Sequence, residues 1–540
     1  MGENGQKQDI VTLTIDGREV TVPKGTTILQ AAEAVGNRIP HYCYHPGLSA
    51  PAQCRLCLVE VEGAPKLAPS CITDVQDGQV VHTESASAKG MRQGVLEFYL
   101  ANHPLDCPIC DQSGECKLQD YVFEEGRKHG RSREPKRVFG RDDFGGDVLF
   151  YGDRCVMCTR CVRFMDEMAQ DPRLTVVERG NRSIIDTFFE EGVEGAPYAG
   201  NIVDICPVGA LVSKDFLHKA RAWDLDHTPS VCPNCSQGCN IDLQTRDNLV
   251  QRLKPRPNLD VNQYWMCDYG RHRYEWMNRG DRIEAPLQRG AGGHEATDWP
   301  GVLEPIFTRM ADGAAPVRAL ASPFASNEAL AALVYLVQGL GGGEIVFRSP
   351  RADEEIPLPG FPKLTRRRDL VPNRRGAELL GLSRVGEEDG TGGLEELKDH
   401  SGTLIVLGDD LTDLESDFGA HASLYLYLGS HFPPAAAEAD VVMPITTHAE
   451  EEGTFTNYEG RVQRFWPALQ GPGAARPAWL PLSLLAAHLN GTTPPSGADE
   501  AFVRAGELAP EFQGLTYESI GTRGALVNEP VTLPGGKLRS

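Results

Sequence analysis

Fifteen cysteines are the residues with the most obvious chemistry, and all of them lie between Cys43 and Cys267 of a chain of 540 residues. Thiolates bind iron and zinc through sulfur, and four of them complete the shell of an iron–sulfur cluster or a structural zinc ion. By spacing they fall into four sets. Cys43, Cys54, Cys57 and Cys71 read C-x10-C-x2-C-x13-C. Cys107, Cys110 and Cys116 read C-x2-C-x5-C and are one ligand short. Cys155, Cys158, Cys161 and Cys206 read C-x2-C-x2-C-x44-C, with Pro207 after the last. Cys232, Cys235, Cys239 and Cys267 read C-x2-C-x3-C-x27-C.

The third set is the most specific. Three cysteines three residues apart suit three corners of a cubane better than a zinc tetrahedron, and a remote Cys-Pro completes a familiar [4Fe–4S] arrangement. The first set fits a two-iron cluster, its close pair wrapping one metal corner before the strand-like VEV; a four-cysteine zinc site is the alternative there and in the fourth set. In the fourth set Gly238 can let backbone N–H groups approach sulfur. In the second, Pro108 removes an N–H, Gly114 permits a tight turn, and His103 stands four residues before Cys107. A lone histidine is more often a surface or satisfied core residue. Yet four clusters need sixteen ligands, and fifteen cysteines plus His103 supply them with no thiol left over. An imidazole in place of a thiolate removes one negative charge and raises the potential. Arg55, Arg154, Arg160 and Arg163 flank ligands; solvated loop charge is the default reading, and compensation of cluster charge the alternative.

Several elements must position these residues. Residues 10–22, IVTLTIDGREVTV, alternate around Asp16-Gly17 and predict a hairpin. Thr27 caps a helix over ILQAAEAVG that Gly36 ends. A helix over Ala86 to Asn102, with Met91, Val95, Phe98 and Tyr99 on one side, delivers the chain to His103. Residues 127–146 read as a polar linker. A helix is expected after Cys161 through Met168 and another after Cys206. Beyond about residue 285, strand-like runs such as TLIVLG (403–408) alternate with helical ones such as NEALAALVYLVQGL (327–340), an α/β pattern. Stretches near 289–293, 471–477 and 493–497 read as loops. Gly339-Leu340-Gly341-Gly342-Gly343 follows a helical pattern, so it reads as a helix stop rather than a dinucleotide loop, and no nucleotide site is evident.

A net charge of -22 argues against nucleic acid or an anionic membrane as the main partner. An odd cysteine count excludes a complete disulfide framework. The apolar run Ala478 to Leu489 is 12 residues, too short to cross a bilayer, and Ala319 to Gly343 carries Asn327 and Glu328. MGENGQKQDI has no apolar signal core. The expectation is a chain that stays where it is made and meets a membrane only through a partner.

The motifs IPHYCYHP, CRLCLVEVEG, NHPLDCPICDQSGECKLQD, DRCVMCTRCVRF, NIVDICPVGAL and CPNCSQGC resemble, over nearly the whole chain, the G-type iron–sulfur subunit of bacterial NADH:quinone oxidoreductase, respiratory complex I. The resemblance implies one [2Fe–2S] cluster on Cys43, Cys54, Cys57 and Cys71. It implies three [4Fe–4S] clusters, on His103, Cys107, Cys110 and Cys116, on Cys155, Cys158, Cys161 and Cys206, and on Cys232, Cys235, Cys239 and Cys267. The fourth set occurs in only some members, off the main electron route. The implied fold is α+β and multidomain. A β-grasp [2Fe–2S] ferredoxin-like domain spans 1–86, and a [4Fe–4S] module with one histidine and three cysteine ligands spans 87–127. A ferredoxin-like [4Fe–4S] module follows over 145–225, then a [4Fe–4S] domain of molybdopterin-oxidoreductase type over 226–285 and a shortened α/β molybdopterin-oxidoreductase-like scaffold over 286–540. THAEEEGTFTNYEGRVQRFWPAL (447–469) resembles a pterin-lining signature, but no molybdopterin is expected. The implied role is electron relay with no catalytic residue. The implied partners are a flavin/NADH-binding subunit and quinone-side subunits, at the cytoplasmic face of the inner membrane. An electron-transfer subunit of an NAD-linked hydrogenase or formate dehydrogenase is one alternative, and a non-redox zinc scaffold another.

Overall fold

A computed structural model describes residues 9–311, 316–386 and 393–527. The run MGENGQKQ, the start of the segment expected to lack a signal core, lies outside the described residues. The chain divides into two compact units, Met1–Asp224 with Leu358–Phe361, and Leu225–Pro357 with Pro362–Ser540.

The first unit begins as expected. Strands β1 (Ile10–Ile15) and β2 (Arg18–Pro23) form an antiparallel hairpin, and Asp16 and Gly17 take the positive φ its two-residue turn requires. Thr27 and Gln30 make a reciprocal capping box on helix α1 (Ile28–Ala34). Strands β3 (Leu58–Val61), β4 (Ala68–Pro69) and β5 (Val80–His82) complete a five-stranded sheet in the order β2-β1-β5-β3-β4. Leu13, Ile15, Ile28, Leu29, Val59 and Val81 are fully buried between sheet and helix, each worth about 1.5–3 kcal/mol. Cys57 and Cys71 belong to the same core. The first ligand set thus stands on a packed sheet rather than a free loop.

Helix α2 spans Ala86–Asn102, but its buried face is not the expected one. Ala88, Arg92 and Leu96 face inward, while Phe98 is 83% exposed and Met91 is also exposed. The reason is polar. Buried Arg92 donates to the Thr83 carbonyl (2.7 Å), to Glu84 (3.0 Å) and to Glu125, and this network outweighs the apolar stripe. Helix α3 (Lys117–Glu125) follows the second cysteine set. The expected linker over 127–146 contains strand β6 (Arg141–Asp143), which pairs with β7 (Val148–Tyr151). Helix α4 (Arg160–Arg163) runs into a π-helical turn, Phe164–Met168. Strands β8 (Leu174–Val177) and β9 (Ile184–Thr187) form a hairpin. The helix expected after Cys206 instead precedes it, as α5 (Asn201–Asp204). Past Pro207 the chain must reach β10 (Leu211–Ser213), which pairs with β7, so no helix continues.

In the second unit β11 (Asp226–Val231), β12 (Asn240–Arg246) and β13 (Leu249–Pro255) form a meander, followed by helix α6 (Asp268–His272). Residues 289–293, expected as a loop, are the turn and inner ends of a hairpin, β14 (Leu287–Gly290) and β15 (Gly293–Ala296). Helix α7 (Trp299–Ala311) leads to β16 (Val317–Ala321), α8 (Asn327–Gly339), β17 (Gly343–Phe347), β18 (Ser383–Arg384), β19 (Thr403–Leu407), β20 (Leu424–Gly429) and β21 (Val441–Pro444). One eight-stranded sheet holds β14 to β21. Every residue of β19 and β20 is buried, as a parallel sheet covered on both faces demands. Helix α8 stops at Gly339, ahead of Gly341 and Gly342 at positive φ, as the sequence predicts. Among the described residues no helix is long and apolar enough to cross a membrane.

Candidate metal centres

Cys43, Cys54 and Cys57 lie between α1 and β3, and Cys71 follows β4; all four are buried. Arg55 takes φ 56°, a left-handed turn that brings Cys54 and Cys57 to the same side. The Tyr42 N–H points at Cys54 Sγ, 3.5 Å away. The Cys43 thiol interacts with Cys54 and Cys71, and Cys71 with Cys57. These contacts draw Cys43 toward thiolate and push Cys71 up. The structure therefore gathers the whole first set.

The second set straddles the step from α2 to α3. Cys107 opens a 3-10 turn with Pro108 and is the only exposed cysteine of the fifteen. Cys110 and Cys116 are buried, and burial first, then the nearby Cys110 and Cys107 charges, push Cys116 up to about 11. His103 is the C-cap of α2. Its Nδ1 is buried without a hydrogen-bond partner, and burial lowers the imidazole to about 4. A neutral ring with an unused buried nitrogen is what a metal ligand requires. Close approach is also built in: a Cβ on Gly209 would stand 2.3 Å from Cys110 Sγ.

In the third set Met157 and Thr159 alternate with the ligands in left-handed conformation, φ 50° and 58°. The Met157 N–H donates to Cys155 Sγ at 3.3 Å. Cys155, Cys158, Cys161 and Cys206 line one common cavity with Phe150, Ile185, Val208 and Leu211. Burial pushes all four thiols up, Cys206 to about 12. Such thiols are protonated at neutral pH, so a metal entering the site displaces protons and supplies the charge that offsets the thiolates. Among the described residues no three His, Cys, Asp or Glu side chains converge closely enough to hold a single metal ion.

The fourth set belongs to the second unit and is wholly buried. The Cys232 N–H donates to the Cys239 carbonyl at 2.8 Å, and the Gly270 N–H donates to Cys267 Sγ at 3.4 Å. A Cβ on Gly270 would lie 3.0 Å from Cys232 Sγ and 3.5 Å from Cys267 Sγ, so glycine keeps the cradle open. Gly238, at φ 65°, makes the turn into Cys239.

Three of the four arginines are not solvated loop charge. Arg154 is buried and donates to Asp106 at 2.6 and 3.0 Å and to the Gly209 carbonyl at 3.4 Å. Buried Arg160 donates to the Ile205 carbonyl at 3.0 Å and to the Tyr44 carbonyl. Arg163 donates to the Cys43 carbonyl at 2.6 Å and the Cys158 carbonyl at 3.3 Å, tying the first set to the third. Gln53 adds bonds to the Met157 carbonyl and Thr159 Oγ1, both 2.9 Å. The third set meets the second where the Lys117 N–H donates to the Pro207 carbonyl at 3.0 Å and Gly209 packs on Cys110. Sequence reasoning missed these ties because they join residues about 100 positions apart through backbone carbonyls, which carry no residue-type signal.

Residues 8–86 match the family described as 2Fe-2S iron-sulfur cluster binding domain, 92–131 the NADH-ubiquinone oxidoreductase-G iron-sulfur binding region, and 145–212 the ferredoxin-like domain of NADH-quinone oxidoreductase subunit 3. Residues 225–279 match the molybdopterin oxidoreductase Fe4S4 domain and 374–487 the molybdopterin oxidoreductase family. The mitochondrial NADH-ubiquinone oxidoreductase 78 kDa subunit of Candida albicans is 31% identical, over 93% of this chain and 86% of that protein. The G-type subunit of NADH-quinone oxidoreductase from Rickettsia bellii is 39% identical over 62% of this chain, and that from Streptomyces coelicolor 41% over 55%. Those two matches span 49% and 36% of the relatives' own length. A chain of a NAD+-reducing [NiFe]-hydrogenase is 30% identical over 39% of this chain and 90% of its own, with a TM-score of 0.36. The cavity of the second unit carries both signs of charge: Asp409, Asp410 and Asp413 line it, and so do Arg273, Arg279 and Arg348.

Proposed function

The chain belongs to the family of G-type electron-transfer iron–sulfur subunits of NADH:quinone oxidoreductase, complex I, and on that footing we propose that it relays electrons through iron–sulfur clusters and holds four of them in all. Cys43, Cys54, Cys57 and Cys71 hold a [2Fe–2S] cluster. His103 with Cys107, Cys110 and Cys116, then Cys155 with Cys158, Cys161 and Cys206, and finally Cys232 with Cys235, Cys239 and Cys267, hold three [4Fe–4S] clusters. When bound, such groups supply one-electron exchange.

The protein's part is to fix ligand type, spacing and surroundings. The observation that carries the reading is the bridge through Arg163 and Gln53 from the first set to the third, continued by the Lys117 and Gly209 contacts to the second. This orders the relay as first, third, second set. Arg154 and Arg160 bring positive charge toward the carbonyls around the third set and favour its reduced form. A flavin-bearing partner supplies the electrons. The quinone-side partner docks near the second set, where Cys107 is exposed together with Leu105 and Ile109. The complex sits at the cytoplasmic face of the membrane, held there by other subunits.

The test is Cys206→Ala in the assembled complex, reduced with NADH and frozen for EPR. The first cluster should reduce and the second should stay oxidised. Normal reduction of the second would refute the order. Metal and sulfide analysis of the anaerobic protein should find about fourteen irons per chain; zinc without sulfide would instead support a structural scaffold.

A further inference from the structure

Tyr42 stands in the loop between α1 and β3, beside the first cysteine of the first set. Its side chain is 0% exposed, and its hydroxyl has no hydrogen-bond partner. The ring packs edge-on against Tyr99 of α2, centroids 5.2 Å apart, and at a tilt against Tyr121 of α3, at 5.5 Å. The other two phenols of this trio are bonded: Tyr99 donates to the Cys54 carbonyl at 3.3 Å and Tyr121 to the His41 carbonyl at 3.5 Å. A buried O–H left without a partner costs about 1–3 kcal/mol. Phenylalanine would fill the same space without that cost, so the hydroxyl calls for a partner other than the polypeptide.

The two helices that flank the ring carry the second ligand set. His103 caps the end of α2 one turn beyond Tyr99, and its N–H donates to the Tyr99 carbonyl at 3.1 Å. Cys116 caps the start of α3, just over a turn ahead of Tyr121. The Tyr42 backbone serves the first set instead, its N–H pointing at Cys54 Sγ, 3.5 Å away. Burial holds the phenol protonated well above its usual range, which leaves the hydroxyl a donor. Among the ligand sulfurs, Cys116 acts on it more strongly than Cys54.

We propose that Tyr42 sets the potential of the second centre: its hydroxyl donates to a sulfur of the cluster held by His103, Cys107, Cys110 and Cys116. The inference rests on the four-cluster relay proposed for the chain. A donor at sulfur stabilises the added electron, so the bond raises the potential and acts in the same direction as the neutral His103 ligand. One residue thereby serves two sets, Cys54 of the first through its N–H and the second through its phenol.

Potentiometric titration of the cluster-loaded full chain, followed by EPR, tests this with Tyr42→Phe, which keeps the ring. At a fixed potential the reduced-to-oxidised ratio of the second cluster should fall about tenfold, equivalent to about 59 mV for one electron, while the first and third stay within about twofold of wild type. Tyr99→Phe, which loses only a bond to a backbone carbonyl, should leave the second cluster unmoved. Proton ENDOR in H2O and D2O should find an exchangeable proton coupled to the second cluster in wild type and missing from Tyr42→Phe. An unmoved second cluster, an equal shift in the first, the same shift from Tyr99→Phe, or the same exchangeable protons in both proteins would each overturn the inference and leave the relay standing. A wild-type chain with no EPR signal from the second centre would overturn the relay reading as well.

Discussion

Replacing Glu451 by glutamine should change how the stability of the second unit depends on pH. Glu451 is buried, and its Oε2 accepts from Thr446 Oγ1 at 2.6 Å. Burial pushes its carboxyl up to about 8 from an ordinary 4.5, and the neighbouring Glu328 and Glu450 charges act in the same direction. The native state therefore keeps a proton that the unfolded chain has lost above pH 4.5. Stability falls as pH rises through that window, by about 1.4 kcal/mol per pH unit until the native carboxyl itself titrates. Between pH 6 and pH 8 the loss is about 2 kcal/mol. A glutamine side chain cannot titrate, so the variant escapes this part of the decline. Glu328, pushed up to about 7 by burial, still titrates in both proteins. Urea unfolding followed by tryptophan fluorescence is a suitable assay, since Trp265, Trp276, Trp299, Trp466 and Trp479 report on the second unit and only Trp223 on the first. Relative to wild type, the variant should be about 2 kcal/mol more favoured at pH 8 than at pH 6. A gap equal at both pH values would refute the argument.

Gly209→Ala should disrupt the second centre alone, because its Cβ meets Cys110 Sγ at 2.3 Å; EPR would show that signal lost or broadened with the first unchanged. Arg348→Ala removes the ion-pair partner of buried Asp409 and should cost about 3–5 kcal/mol in urea unfolding, against little effect on the first unit. His103→Cys should retain a cluster while changing its EPR signal and lowering its potential, since a thiolate adds negative charge; an unchanged spectrum would remove His103 from the ligand set.

Much of this molecule was legible in local sequence. The hairpin around Asp16-Gly17, the Thr27 cap and the helix stop after Gly339 rest on interactions within a few residues, so residue type and order suffice. The four cysteine groups proposed as ligand sets are visible in the sequence because metal coordination admits few residue types at few spacings. The inward face of α2 was not, since a buried Arg92 network, built with Glu125 from another helix, overrode the apolar pattern. Nor was the turn toward β10 after Cys206, where pairing with β7 decided the path.

What the sequence determined by itself, then, is how the fifteen cysteines group along the chain, because thiol spacing is a local property. The tertiary structure alone decided which set touches which. Arg163 bonds the carbonyls of Cys43 and Cys158, and Gly209 makes room for Cys110, contacts that exist only once distant loops are folded together. It also decided that a chain without a glycine-rich phosphate loop still opens a crevice between β16 and β19. Strand order is a global property, and short-range residue patterns do not encode it.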